Sequence, residues 1–276
     1  MAGSNQKTLL NPTECETAVL FCGLRGYSRI INESREHLHG LLDRVNQARE
    51  VMTQNIIRHD GVIADFQGDS TLGFWGWPLA LESGAVPACR AALDILRDFR
   101  RTAQRHPNSK RVPSRFGIGI AFGPGIAGRI GTRQQAKVGV FGPVVNLGSA
   151  PEGMTKQIGV PILIDRATAM SVLENCDPSE CRCRRIGFFS PVKIDTPVEV
   201  YELLPPEAES LITSDHIRTF ESAVAAFLEG DWDDVVELLS EMPGRDRAKD
   251  FLLLQIAAHN YEPPADWDGV IHMQRK

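Results

Sequence analysis

Chemistry needs polar groups at fixed spacing, and this chain has a short set of candidates. Asp69 follows Gly68 between two strand-like runs, Gly61 to Phe66 and Ser70 to Gly76, which predicts a hairpin with a carboxylate at its tip. That group could ligate a cation, although Gly-Asp is also an ordinary polar turn. Gly123-Pro124-Gly125-Ile126-Ala127-Gly128 could suggest a phosphate-cradling loop. No lysine-serine pair follows it, and a strand-connecting turn is the expectation. His37 and His39 stand two apart, not four, and are expected to be solvated on a polar helix face. Arg182, Arg184 and Arg185 form a basic cluster expected at a solvated strand edge. The six cysteines are scattered, with no CxxC pair, so neither a disulfide framework nor a zinc knuckle is expected. Only Cys181 and Cys183 are close, and two-residue spacing puts both thiols on one strand face.

These groups need elements to hold them. Residues 1–16 read as a loose lead-in, and Thr17 to Cys22 as a buried strand that stops at Gly23. Leu38, Leu41, Leu42, Val45, Ala48, Met52 and Ile56 recur at three-and-four spacing, so an amphipathic helix is predicted to lie on that strand. A second helix is predicted from about Glu82 to Arg105, followed by a loop bounded by Pro107 and Pro113. Phe116 to Phe122 and Val138 to Phe141 read as strands whose glycines allow close backbone approach. A helix follows Pro143, a strand covers Pro161 to Ile164, and Asp165 is expected to cap a helix running to Asn175. Strands at 181–189 and 198–204 complete this part. Strands and helices mix without strict alternation, which favours an α+β fold with helices on a largely antiparallel sheet. After Pro205-Pro206 the pattern becomes helical, giving a small C-terminal helical tail over 205–276.

The formal charge of −5 over 276 residues argues against a general nucleic-acid or anionic-membrane binder. No apolar run approaches the roughly 18–20 residues needed to cross a bilayer, and the first residues lack a signal-peptide core. The expected location is the cytoplasm.

Four segments in order carry a resemblance. Leu20-Phe21-Cys22-Gly23-Leu24-Arg25-Gly26-Tyr27-Ser28 comes first, then Gly61 to Asp69. Gly117-Ile118-Gly119-Ile120 follows, with Gly123, Gly128 and Gly131, and then Val140-Phe141-Gly142-Pro143-Val144-Val145-Asn146-Leu147. Together, residues 17–204 resemble the class III adenylyl/guanylyl cyclase homology domain, which implies a ferredoxin-like α+β body. The tail, with Gly230-Asp231-Trp232 and Tyr261 to Val270, looks like the C-terminal extension of bacterial adenylate cyclases.

The resemblance implies attack of a ribose 3′-hydroxyl on the α-phosphate of a nucleoside triphosphate, at sites shared across a head-to-tail dimer. Two aspartates would clamp Mg²⁺ or Mn²⁺, a lysine and an aspartate would read adenine, an asparagine would orient the ribose, and an arginine would stabilise phosphate charge. The first metal position is Gly23 here and the second is Asp69. With one carboxylate left, at most one weakly held ion is expected. The base-reading positions are Asp65 and Lys137, with the charges interchanged, so they either read another base or pair as a salt bridge. Asn146 matches the ribose position unless it bonds locally as an early-helix residue, and the arginine position is Ala150. Both halves of a shared site are thus altered. The expectation is an inactive or impaired pseudo-cyclase acting as a dimerising module, with itself or with another cyclase domain. An active cyclase of changed base specificity is the alternative, and a scaffold that binds a partner through its tail is a second.

Overall fold

Strand β1 (Thr13–Leu24) lies at the centre of a sheet, antiparallel to β3 (Ser70–Trp75) on one side and β4 (Phe116–Gly131) on the other. The computed structural model describes residues 11–26, 38–105, 116–191 and 194–273. Tyr27, Ser28, His37, Pro107 and Pro113 fall outside the described residues, as does most of the lead-in. The lead-in is shorter than expected, because pairing with β4 begins at Thr13.

Among the described residues nine strands form one sheet, in the order β2 (Val62–Gln67), β3, β1, β4, β6 (Ile162–Asp165), β8 (Val198–Leu204), β7 (Arg182–Ser190), β9 (Val270–His272), with β5 (Ala136–Phe141) also paired to β4. All pairings are antiparallel except β4 with β6 and β7 with β9, which agrees with the α+β expectation. The tail is not purely helical, since β9 adds to the same sheet.

Because strand side chains alternate between faces, each strand serves two layers. Ala18, Leu20, Cys22 and Leu24 of β1 join Ile118, Ile120, Ile162 and Ile164 in one core. Helices α1 (Leu38–Arg58), α2 (Val86–Arg105) and α4 (Arg166–Asn175) cover it. In α1 the buried stripe is Leu41, Val45, Ala48, Met52 and Ile56, while Leu38 and Leu42 are exposed. As expected, Asp165 caps α4, accepting a hydrogen bond from the Thr168 backbone N–H.

The alternate residues, Val19 and Phe21, pack with Ala121 and Val144 under helix α3 (Pro143–Ile158). Farther along the sheet, Leu163, Ile186, Phe189, Val200 and Leu204 join Met154 and Ile158 of α3 in a core shared with tail helices α5 (Ser214–Glu229), α6 (Trp232–Ser240) and α7 (Arg247–Ala258).

Three local expectations are corrected. Residues 123–128 do not form a strand-connecting turn; they lie inside the 16-residue strand β4, paired to β1 through residue 127 and to β5 from residue 126. Cys176 and Cys181 form a disulfide, because the Asp177 turn folds the chain back on itself. Arg182 and Arg184 are buried, because β7 lies between β8 and β9 and their face meets the tail. Arg184 is 1% exposed and hydrogen-bonds both Glu202 and Asp246, while Arg182 donates to the Pro205 and Ile212 carbonyls. Arg185, by contrast, stays partly exposed and lies 3.7 Å from Glu199.

Candidate functional site

The site is built where the β2–β3 hairpin, the end of β1 and helix α3 converge. Gly68 takes a left-handed conformation (φ 59°), which turns the chain so that Asp69 sits at the hairpin tip. From α1, Arg49 donates to the Gly68 carbonyl and stacks over Phe66, 5.0 Å from the ring centre, which pins the tip. Asp69 is half-buried, and burial raises its pKa above the ordinary range.

Register places Gly23 opposite Ser70 in β3 and opposite Gly117 in β4. Parity places it on the Val19 and Phe21 face, toward α3. Two glycines of β4 let α3 come unusually close. A Cβ on Gly119 would lie 2.3 Å from the Glu152 backbone nitrogen, and one on Gly117 would lie 2.1 Å from Thr155 Oγ1. The expected close backbone approach is therefore real, and its partner is a helix. The result is an unforeseen neighbour: a Cβ built on Gly23 would stand 2.6 Å from Glu152 Oε1 and 2.8 Å from Ser70 Oγ. The space that a side chain at position 23 would need holds a carboxylate from α3.

Glu152 thus adds a carboxylate, from another element, beside the two positions that were expected to keep one. Its pKa is pushed up to about 7, first by burial and then by the charge of Asp69, while Arg25 opposes the rise. Helical spacing puts Glu152 near the buried face of α3, four residues after Gly148, but nothing in that spacing points it at Gly23. Among the described residues, no group of three or more His, Cys, Asp or Glu side chains gathers as a metal cage. Two carboxylates beside a hydroxyl nonetheless fit a hard divalent cation of the Mg²⁺ type, which uses one or two carboxylates together with substrate phosphates.

Asp65 and Lys137 do come together, on β2 and β5, which are not hydrogen-bonded to each other. Lys137 Nζ lies 2.5 Å from Asp65 Oδ2, with the side chains 59% and 35% exposed. The hydrogen bond from Lys137 holds the Asp65 carboxyl below its usual range. Asn146 is exposed in the first turn of α3, whereas Ala150, one turn on, packs against the core shared with the tail. His39 is exposed, as expected.

No protein-family model matches the chain. Adenylate cyclase 1 of Rhizobium meliloti is 30% identical over 158 residues, which is 56% of this chain and 23% of that protein. The chain thus spans about a quarter of the length of the curated relatives it matches. Adenylyl cyclase CyaB from P. aeruginosa superposes with a TM-score of 0.60 at 23% identity, covering 71% of this chain and 96% of that one. The chain has the fold of the class III nucleotide cyclase domains. The guanylate cyclase domain of RhGC from Catenaria anguillulae, solved in complex with GTP, is likewise similar in fold to this chain (TM-score 0.57, 18% identity, covering 71% of this chain and all of that one). No described helix of this chain is long and apolar enough to cross a membrane.

Proposed function

We propose that the chain is a class III cyclase-family signalling domain that has lost most or all of its cyclising activity and serves as a dimerising regulatory module, with itself or with another cyclase domain. One observation carries this reading. Where the family places a guanidinium to meet charge developing on the phosphate, α3 presents the methyl of Ala150, packed against the apolar core of the tail. Loss of a preorganised charge of that kind costs about 3–4 kcal/mol, or two to three decades in rate. The Asp65–Lys137 pair adds to this, because each group already satisfies the other at the positions that would read a base. When bound, Mg²⁺ or Mn²⁺ would acidify the attacking hydroxyl and neutralise triphosphate charge, with Asp69 facing it.

The test is incubation of the purified chain with ATP, GTP, CTP or UTP and either metal. Cyclic product is expected to stay at background, or at least about a hundredfold below a complete cyclase domain run in parallel. Metal-dependent turnover that disappears in Asp69→Ala overturns the proposal. Sedimentation is expected to show a dimer. The competing reading is a changed base preference, favoured by the half-exposed donor and acceptor of Asp65 and Lys137. Turnover of a single triphosphate would support it.

A further inference from the structure

The structure assigns Glu152 as the second carboxylate of a divalent-cation site, supplying from helix α3 the group that position 23 cannot supply from β1. The inference rests on the cyclase-family reading of Asp69 as cation-facing, and not on whether the domain turns over.

Three observations carry it. The first is location. Glu152 Oε1 lies 2.6 Å, and its Cδ 3.3 Å, from the point where a Cβ on Gly23 would be, so the carboxylate occupies the volume of the first one or two atoms of a side chain at position 23. Gly23 is directly opposite Ser70, the neighbour of Asp69 in the hairpin, and the negative charge of Asp69 is felt at Glu152.

The second is that the neighbouring residues permit this placement. Glu152 reaches the spot because Gly117 and Gly119 give up their side-chain volume to α3, and because Gly148, one turn earlier, lets the helix lie against Val19 (2.6 Å from a Cβ at position 148). A residue larger than glycine at 117, 119 or 148 would lift the helix and withdraw the carboxylate. Gly23 belongs to the same arrangement, since any side chain there would collide with Glu152.

The third is that Glu152 is unpartnered. Among the described residues its carboxylate accepts no hydrogen bond and makes no ion pair. The Arg25 guanidinium, which lowers its pKa from a distance, donates to the Val160 carbonyl at 2.8 Å. A half-buried carboxylate facing a second carboxylate is stabilised by a cation between them. The nearby donors are carboxylate and hydroxyl oxygens, which select Mg²⁺ or Mn²⁺ over softer metals.

The experiment is Mn²⁺ binding by the full chain without nucleotide, followed by electron paramagnetic resonance and by thermal shift, with Mn²⁺ alone and with Mn²⁺ plus inorganic triphosphate. The variants are Glu152→Gln, Asp69→Asn and the double variant Gly23→Asp/Glu152→Ala, whose truncated residue 152 leaves the space at position 23 open. Glu152→Gln keeps the shape of the side chain and removes a buried charge, so it is expected to fold, and the metal-free melting curve checks this. Each single variant is expected to weaken Mn²⁺ about tenfold or more. The double variant, which moves the carboxylate back to β1, is expected to recover affinity to within about threefold of the parent chain. The assignment is overturned if the parent chain binds no Mn²⁺ in either arm, or if Glu152→Gln binds within about twofold of it, whatever Asp69→Asn does. Detection of cyclic nucleotide formation would overturn the proposed loss of activity and leave these outcomes unchanged.

Discussion

At the scale of single residues, the buried acids show how far position in the fold outweighs residue type. Asp165 is an orthodox helix cap, visible in the sequence before Arg166-Ala167-Thr168, yet its pKa is pushed up to about 6. Burial is the dominant cause, and the hydrogen bonds from Thr168 and Phe122 only partly offset it. The native state thus holds the Asp165 proton more tightly than the unfolded chain does. That contribution to stability is fully present below about pH 4 and is lost as pH rises through about 6. Asp165→Asn keeps the capping acceptor and cannot ionise. Denaturant unfolding should therefore find it more stable than the parent chain at pH 7, by about 1–3 kcal/mol, and nearly equal at pH 4. A constant difference across that range would show that Asp165 ionises normally. Asp69 was legible by the same local logic, since a Gly-Asp turn needs only its two neighbours to be recognised. Glu152 was not, because its meaning depends on glycines in a strand about thirty residues away.

At the scale of elements, period-two and period-3.6 patterns recovered most strands and helices, including both edges of the hairpin and the buried stripe of α1. They failed at β4. Gly123-Pro124-Gly125 has the composition of a turn, but the segment pairs with β1 at 123–125 and reaches β5 from residue 126. Long-range pairing thus outweighed local propensity there. The glycines of β4 also decide how α3 docks. Gly119→Ala would place a Cβ 2.3 Å from the Glu152 nitrogen and 2.4 Å from the Gly148 carbonyl oxygen, both backbone atoms that cannot swing aside. It should cost about 1–3 kcal/mol or more in chemical denaturation. An unchanged midpoint would mean that α3 shifts freely on the sheet.

At the scale of the whole molecule, the tail and the cyclase-like body share one core. Apolar residues of α3, β6, β7 and β8 pack with those of α5, α6 and α7, and Asp246 ties the charge of Arg184 to the N-terminus of α7 while capping that helix. Arg184 also lies 4.2 Å from the Phe220 ring centre, so the guanidinium is enclosed by Glu202, Asp246 and an aromatic face. Removing one partner of a buried ion cluster typically costs about 3–5 kcal/mol. Asp246→Ala should cost that much, and the full chain should melt in a single transition by calorimetry. Two transitions, with only the first moved by Asp246→Ala, would show that tail and body unfold independently. The sequence by itself determined the α+β composition, most element positions, the cap at Asp165 and the carboxylate at the hairpin tip, because each depends on residues within a turn or two of one another. Only the tertiary structure decided that α3 carries a carboxylate into the space at Gly23, that Asp65 and Lys137 meet, and that Arg182 and Arg184 of the basic cluster are buried anchors for the tail. Those outcomes depend on which strand faces are covered and how closely a helix can approach, and segments far apart in the chain set both.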